Sequence, residues 1–379
     1  MKVSWNCILP NKEFVMKVKA YAAKNEKGLL EPYEYELGEI GPDDVDIEIE
    51  NCGLCYSDVH YIDNDFSNNE YPFVPGHEII GKITTIGSQV KDRHVGQRVG
   101  VGFQAGYCKT CECCYNGDHN LCEDRVGVFV GRNGGFADKV RVQDISAIPI
   151  PDALDPRTAG PLMCGGITVF NPFVQYAVKP TDSVAIFGIG GLGHMAIKFA
   201  NAWGCEVTAI TGSESKIEEA KSYGAHKVVI ASDIDAIKKL KKSFDYLFFT
   251  GHAFEGKWGL FMNTLKPKGR LHFLGLLPKP LDLTMFHMLR GQNSVSASPV
   301  GGPEAMKKMV EFCARHSIIP EVEFFKMSEI NISSISENQN LLKFEIAENF
   351  TCIRFLDHNK ERFELEFNLE KGTSFNTFL

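Results

Sequence analysis

A histidine and a glutamate stand side by side at His77 and Glu78, with Gly76 before them and Gly81 and Gly87 after. Imidazole and carboxylate together suit metal binding, and partners lie on both sides. Cys55 is upstream, with Asp58 three residues further on, and Cys164 is downstream. A zinc site built for catalysis uses few protein ligands and leaves one position open. Two cysteines and one histidine are such a set, and Glu78 is then a charge behind the metal. A surface His-Glu pair in a glycine-rich turn is the plainer alternative, which the flanking cysteines disfavour. Cys52 and Cys55 also have CxxC spacing. A redox pair there needs a thioredoxin-like βαβ pattern, and none surrounds it, so Cys52 is expected to pack as a small apolar residue.

A second group of thiols is denser. Cys108, Cys111, Cys114 and Cys122 are separated by two, two and seven residues. Four thiolates on one short loop match a tetrahedral structural zinc site. The rival is an iron–sulfur cluster, whose ferredoxin motif puts its fourth cysteine after three residues and follows it with proline. Neither feature is present. Cys113 inside the loop is read as a bystander that could exchange with Cys114.

The third chemical stretch is Gly188-Ile189-Gly190-Gly191-Leu192-Gly193. It follows the apolar run Ser183–Phe187 and precedes a helical pattern over His194–Trp203. GxGxxG between strand and helix is a dinucleotide site: the glycines let backbone approach a pyrophosphate, and the helix N-terminus supplies N–H donors. An acid about 20 residues further on would bind the 2′-hydroxyl of NAD. Here the second strand ends in Thr211-Gly212-Ser213-Glu214-Ser215-Lys216, with hydroxyls and a lysine and no acid at its terminus. That favours a 2′-phosphate, hence NADP over NAD. Glu214 reads as the first turn of the next helix, where the dipole favours an acid.

These sites need elements to hold them. Strands are expected from Met16, where Val18, Ala20 and Ala22 alternate, and at Asp44–Glu50, Ile79–Ile86 and Arg98–Phe103. After the glycine turn the pattern continues with strand Glu206–Thr211, helix Glu214–Tyr223, and strands Lys227–Ile230, Phe244–Thr250 and Gly269–Leu274. Strand alternating with helix means a doubly wound parallel sheet in an α/β protein. A length of 379 residues suggests two domains. The dinucleotide domain is expected over 166–301, with 1–165 and 302–379 forming one discontinuous, metal-rich domain. Within it, 1–15 and 332–379 read as additions. The latter is polar at first and then rich in Phe and Glu, either a true extension or the product of a shifted reading frame.

The formal net charge of −8 and the lack of a long basic run argue against nucleic acid. No apolar run reaches the roughly 18 residues needed to cross a membrane. Asn6, Pro10 and Asn11 interrupt any apolar core near the start, so no signal peptide is expected. Twelve cysteines then suggest metal rather than disulfides, and a cytoplasmic protein.

Together these residues resemble the zinc-dependent alcohol dehydrogenases of the medium-chain dehydrogenase/reductase superfamily, in particular the cinnamyl alcohol dehydrogenase branch with its NADP-dependent aldehyde reductases. The signature GHExxGxxxxxG is met by Gly76, His77, Glu78, Gly81 and Gly87. Pro161–Thr168 looks like the branch's stretch with the third zinc ligand, Cys164, and a cofactor-contacting threonine, Thr168. Thr211–Lys216 resembles its 2′-phosphate segment. The resemblance spans roughly residues 16–331. It implies a GroES-like β-rich catalytic domain beside a Rossmann domain, two zinc ions per chain, a small alcohol or aldehyde substrate, and a homodimer. Four departures stand out. Tyr56 replaces a histidine usual beside the cofactor phosphates, and Gly212 replaces a residue that often helps hold the 2′-phosphate. The short Glu123–Gly134 loop does not imply cinnamyl substrates. The family's closing helix and strand are not recognisable after Asn331.

The expected chemistry is reversible hydride transfer between an alcohol and NADP. Ser57 is placed to take the alcohol proton and pass it by way of the ribose to His60 and water. Asp58 is expected to hydrogen-bond the free nitrogen of His77, to cap a helix beginning near Val59, or both. Two alternatives remain. A zinc-free quinone or enone reductase of this fold would lack the Cys55–His77–Cys164 set. A non-catalytic zinc- and dinucleotide-binding protein would bind cofactor without turnover.

Overall fold

The structure is a computed structural model, and it describes residues 15–251, 258–275, 277, 280–331 and 351–355. Two sheets dominate. The first has six strands in the order Lys227–Ile230, Glu206–Thr211, Ser183–Phe187, Phe244–Phe249, Leu265–Phe273 and Ser294–Ala297. Every neighbouring pair is parallel. Ser183–Phe187 lies at the centre because it is apolar on both faces, with Val184, Ala185 and Ile186 fully buried. The chain winds outward from it through Glu206–Thr211 and Lys227–Ile230, then returns to its other side at Phe244–Phe249. That reversal opens a crevice at the carboxyl ends of the two central strands, the place where such sheets bind ligands.

The second sheet has seven strands. Its main path runs Val322–Lys326, Thr351–Phe355, Asp44–Leu54, Glu78–Ile86, Arg98–Val101 and Ile148–Pro149, and Lys139–Gln143 also pairs with Asp44–Leu54. Asp44–Leu54 is its organising strand. Val45, Ile47 and Ile49 point inward, and the strand runs four residues beyond the expected Glu50. Its antiparallel register with Glu78–Ile86 sets Gly53 opposite Glu78. That register delivers Cys55 and His77 to the same end of the sheet. No side chain other than glycine's fits at 53, because a Cβ there would stand 1.9 Å from Glu78 Oε2.

The two halves share one apolar core. It joins Cys55, Ile80, Ile148 and Ile150 to Cys164, Phe170, Val184, Phe199 and Met309. Helix Gly165–Gln175 crosses between them and packs on helices Gly191–Trp203 and Pro303–His316.

Several expected boundaries shift. The helix expected from His194 begins at Gly191, so two of the turn's glycines lie within its first turn. The Glu214–Tyr223 helix is a 3-10 turn, Glu214–Lys216, followed by Ile217–Ser222. Arg98–Phe103 stops at Val101 and resumes at Gln104–Gly106. In the 332–379 stretch, Thr351–Phe355 forms a strand parallel to Asn51–Leu54 and antiparallel to Val322–Lys326. A closing strand therefore exists where the sequence pattern shows none. The rest of that stretch, and the N-terminal addition except Val15, lie outside the described residues. Among the described residues no helix is long and apolar enough to cross a membrane.

Candidate active site

Helix Tyr56–Ile62 starts where strand Asp44–Leu54 ends, with Cys55 as its N-cap. Asp58 sits in the first turn and is fully buried. Its Oδ2 accepts from the Cys55 N–H at 2.9 Å. Its Oδ1 accepts from the Gly76 N–H at 2.8 Å and lies 3.0 Å from His77 Nδ1. Asp58 thus fixes the imidazole, but it is not the cap of a helix near Val59: the helix begins three residues earlier, and Asp58, its third residue, reaches back to the Cys55 N–H in a capping box. A carboxylate only accepts, so the ring proton belongs on Nδ1 and the Nε2 lone pair faces inward. Gly76 makes the approach possible. It turns with φ +102°, and a Cβ there would stand 2.6 Å from the Phe136 nitrogen. Phe103 and Phe129 close around the ring edge-on, at 5.5 and 5.2 Å between centroids.

The His77 Nε2 points at Cys164 Sγ, 3.2 Å away, and Cys164 Sγ is 3.9 Å from Cys55 Sγ. Cys164 caps helix Gly165–Gln175, so three distant segments meet at one buried point. Two thiolate donors around a tetrahedral zinc ion stand about 3.8 Å apart, given Zn–S bonds of about 2.3 Å. The electrostatics also call for a cation. Burial pushes the Glu78 carboxyl well above the usual range, and both its oxygens lack a hydrogen-bond partner. A hydrogen bond donated to the Cys55 sulfur, with burial, raises Cys164. Burial alone would lower the His77 imidazole, but Asp58 outweighs it and raises it. One donor atom from each of Cys55, His77, Glu78 and Cys164 lies within 4.8 Å of the others, so this residue set fits a metal ion.

Ser57 is buried, with Oγ 3.6 Å from Cys55 Sγ. His60 lies one helical turn on and nearer the surface. Its Nδ1 pairs with Asp65, and its ring packs on Tyr56 and Phe66. Thr168 is buried and donates to the Cys164 carbonyl at 2.8 Å, one turn into the same helix.

The four cysteines of the loop converge. One sulfur from each of Cys108, Cys111, Cys114 and Cys122 lies within 4.8 Å of the others, and Cys113 is not in the group. Backbone N–H groups of Thr110 and Cys111 point at Cys108 Sγ, at 3.5 and 3.3 Å. They pull that thiol down to about 6. Lys109 carries the turn with φ +63°, and its ammonium ties the loop to Asp43 and Asp144, at 3.3 and 3.2 Å.

The glycine turn sits at the crevice. Gly188 has φ +93°, and a Cβ on Gly193 would stand 1.9 Å from the Gly188 carbonyl oxygen. The turn is therefore a bare-backbone cradle at the start of a 13-residue helix, and Gly190, Gly191 and Leu192 carry the chain into it. That geometry fits a pyrophosphate. Thr211, Gly212, Ser213 and Lys216 lie at the carboxyl end of the adjacent strand. The Ser213 N–H donates to Thr211 Oγ1 at 3.2 Å, and a Cβ on Gly212 would meet nothing within 4 Å.

Three supporting residues escape the sequence reading. Thr250 Oγ1 donates toward the carbonyls of Phe187 and Gly188, at 2.9 and 3.1 Å, and pins the turn from below. Its place at the end of a predicted strand was the available signal. His194 Nε2 accepts from the Glu321 N–H at 3.2 Å, so its proton sits on Nδ1, facing the Gly190 carbonyl at 3.3 Å. Burial holds this imidazole down at about 3, which keeps it neutral in that role. Glu219 pairs with Lys216, and their i,i+3 spacing was the available signal.

Comparison with known proteins agrees with this geometry. Residues 41–152 match the alcohol dehydrogenase GroES-like domain, and 191–315 match the zinc-binding dehydrogenase family. An aldehyde reductase of Synechocystis is 46% identical over 314 residues, 83% of this chain and 93% of the relative. Cinnamyl alcohol dehydrogenase 3 of Arabidopsis thaliana is 36% identical over 340 residues, 87% of this chain and 89% of the relative. Among solved structures, a cinnamyl alcohol dehydrogenase of Sorghum bicolor superposes with TM-score 0.80 at 31% identity, covering 90% of this chain and 98% of its own. One from Helicobacter pylori, complexed with NADP(H), gives 0.77 at 27% identity, covering 90% and 99%. With a GroES-like half, a Rossmann half and this extent of shared sequence, the chain belongs to the zinc-type alcohol dehydrogenases of the medium-chain dehydrogenase/reductase superfamily, alongside the cinnamyl alcohol dehydrogenases.

Proposed function

We propose that the protein is a zinc-dependent alcohol dehydrogenase and aldehyde reductase that prefers NADP(H) to NAD(H). Cys55, His77 and Cys164 would hold the catalytic zinc, and Cys108, Cys111, Cys114 and Cys122 a structural one. The catalytic domain takes 1–165 and 302–379, and the dinucleotide domain 166–301. The observation that carries this reading is the meeting of two thiols and one imidazole nitrogen, from three distant segments, at a single buried point.

When bound, zinc supplies Lewis-acid polarisation of the substrate oxygen, and the dinucleotide supplies or accepts the hydride. The chain's own residues do the rest. Asp58 keeps the His77 proton on Nδ1 and so leaves Nε2 free for the metal. Ser57 Oγ, buried beside Cys55 Sγ, receives the alcohol proton, and His60, anchored by Asp65, passes it outward. The Gly188–Gly193 turn and the helix behind it bind the pyrophosphate, with Thr168 beside them. Thr211, Ser213 and Lys216 favour a 2′-phosphate, and Glu78 offsets part of the metal's charge from behind.

The test is zinc content per chain together with NADPH and NADH oxidation against aliphatic and aromatic aldehydes. Two zinc ions and faster NADPH turnover are the expected result. Faster NADH turnover would transfer the preference to NAD. One zinc and no turnover would leave a non-catalytic zinc- and dinucleotide-binding protein.

Two further predictions follow from this reading. Cys122→Ser removes a buried thiol from the four-cysteine loop. The variant should bind one zinc fewer and melt roughly 5 °C lower, while retaining turnover at low temperature. Calorimetry with metal analysis checks it, and an unchanged melting point would show that the loop needs no metal. The second concerns the edge strand Ser294–Ala297, next to a short helix, Met285–Leu289, with large exposed apolar side chains. Met285, Phe286 and Leu289 are 65%, 62% and 69% exposed. We expect a second copy to cover this face and form a homodimer. Phe286→Asp with Leu289→Asp should sediment as a monomer where the unmodified chain sediments as a dimer.

A further inference from the structure

Resting on the reading of Thr211–Lys216 as the ribose end of the dinucleotide site, we propose that Glu219 sets how strongly that site selects a 2′-phosphate. It does so by holding Lys216 in an ion pair with which the phosphate must compete. Lys216 is buried, with its Nζ 3.1 Å from Glu219 Oε2 and 3.4 Å from Oε1. The carboxylate is fixed from its other side by the Tyr223 hydroxyl, which donates to Oε1 at 2.8 Å.

Tyr223 is itself clamped. Its ring lies 5.4 Å from that of His194, and the Lys198 ammonium sits 5.0 Å from its centroid. Lys198 in turn donates to the Ile319 carbonyl and to Glu321, both at 2.8 Å. Glu219 is therefore not a loose surface acid. Its side chain is only 17% exposed and is tied, through Tyr223, to the helix that follows the glycine turn.

The consequence is electrostatic. A dinucleotide site for NAD carries its acid at the end of the second strand, where it accepts from the ribose hydroxyl. Here the acid stands further along, on helix Ile217–Ser222, and its charge is directed at the lysine. The one well-placed cation of the segment is thus partly neutralised before any cofactor arrives. A 2′-phosphate gains less from Lys216 than from an uncompensated lysine, because Glu219 either shares the ammonium or is left buried beside a second anion. A 2′-hydroxyl meets no such penalty. The site so built favours NADP(H) only moderately and tolerates NAD(H). Gly212 has the same effect, since it adds no polar side chain where there is room for one.

The experiment is calorimetric titration of the full zinc-loaded chain with adenosine 2′,5′-bisphosphate and with 5′-AMP, which lacks only the 2′-phosphate. Glu219→Gln is the variant, because the amide keeps an acceptor for Tyr223 and removes the charge. Its expected effect is roughly tenfold tighter binding of the bisphosphate, with 5′-AMP changed by less than about twofold. The 5′-AMP titration also reports that the variant is folded. Lys216→Met, made alone and with Glu219→Gln, should lose the preference for the bisphosphate. If Glu219→Gln leaves the ratio of the two affinities unchanged while Lys216→Met lowers it, the role of Glu219 is overturned and the ribose site stands. If Lys216→Met also leaves the ratio unchanged, the ribose site has been misplaced and the role of Glu219 falls with it.

Discussion

Cys164→Ala is expected to lower kcat/KM for aldehyde reduction by at least about 10³-fold, because Lewis-acid polarisation is worth several kcal/mol in the transition state. Bound zinc should fall from two ions per chain to one. The reasoning is geometric. Cys164 is buried and faces both Cys55 Sγ, at 3.9 Å, and His77 Nε2, at 3.2 Å. Without it two of the three proposed protein ligands remain, which is too few for a tightly held catalytic zinc. Alanine is smaller than cysteine and apolar, so the cap of helix Gly165–Gln175 should survive and the dinucleotide should still bind. Metal analysis, steady-state kinetics and NADPH titration on one preparation separate these effects. A variant that kept both zinc ions and most of its activity would remove Cys164 from the ligand set. Glu78 makes the comparison sharper, since its unpartnered oxygens lie in the same cluster. If the carboxylate substitutes for the lost thiolate, Cys164→Ala will retain zinc while Cys164→Ala with Glu78→Gln will not.

The parallel half of the fold was legible because strands buried on both faces are continuous apolar runs. Ser183–Phe187 and Glu206–Thr211 appear with the boundaries read from sequence, and Phe244–Phe249 stops one residue earlier. The four-cysteine loop was legible for another reason: its thiols are local, so spacing alone encodes their meeting. The helix behind the glycine turn was read three residues late. Glycine is a poor helix former, yet Gly191 and Gly193 are helical here because close contact with Gly188 outweighs propensity. Strand Leu30–Leu37 carries exposed Glu31, Glu34 and Glu36 and a proline, and it exists because Met16–Ala23 pairs with it along its whole length. Strand Thr351–Phe355 likewise depends on its pairing with Val322–Lys326 on one side and, on the other, with Asn51–Leu54 at the opposite end of the sequence. The supporting contacts were the least legible. His194 meets Glu321 across 127 positions, and His77 meets Cys164 across 87. In the second case the chemistry of the side chains signalled the contact; in the first nothing did.

Gly193→Ala is expected to weaken NADP+ binding by up to about 100-fold, since a methyl forced into a packed site costs up to about 3 kcal/mol. The added Cβ would stand 1.9 Å from the Gly188 carbonyl oxygen and 3.1 Å from Thr250 Oγ1. Something must move, and the turn is poorly placed to do so. Gly188 is held with φ +93°, and Thr250 bonds its carbonyl and that of Phe187 from the other side. The helix Gly191–Trp203 is also restrained, by His194 to Glu321 and by Lys198 to Ile319. Strain therefore falls on the junction between turn and helix, where the N–H groups proposed to face the pyrophosphate lie. Those donors act only as a set with fixed directions, so a tilt of the first turn lowers affinity far more than it lowers stability. The proposed zinc sites lie in other segments and should keep their metal. NADPH fluorescence titration together with metal analysis separates a lost cofactor site from a lost fold. Gly193→Ala binding NADPH as tightly as the unmodified chain would mean that the cofactor lies elsewhere than on this turn.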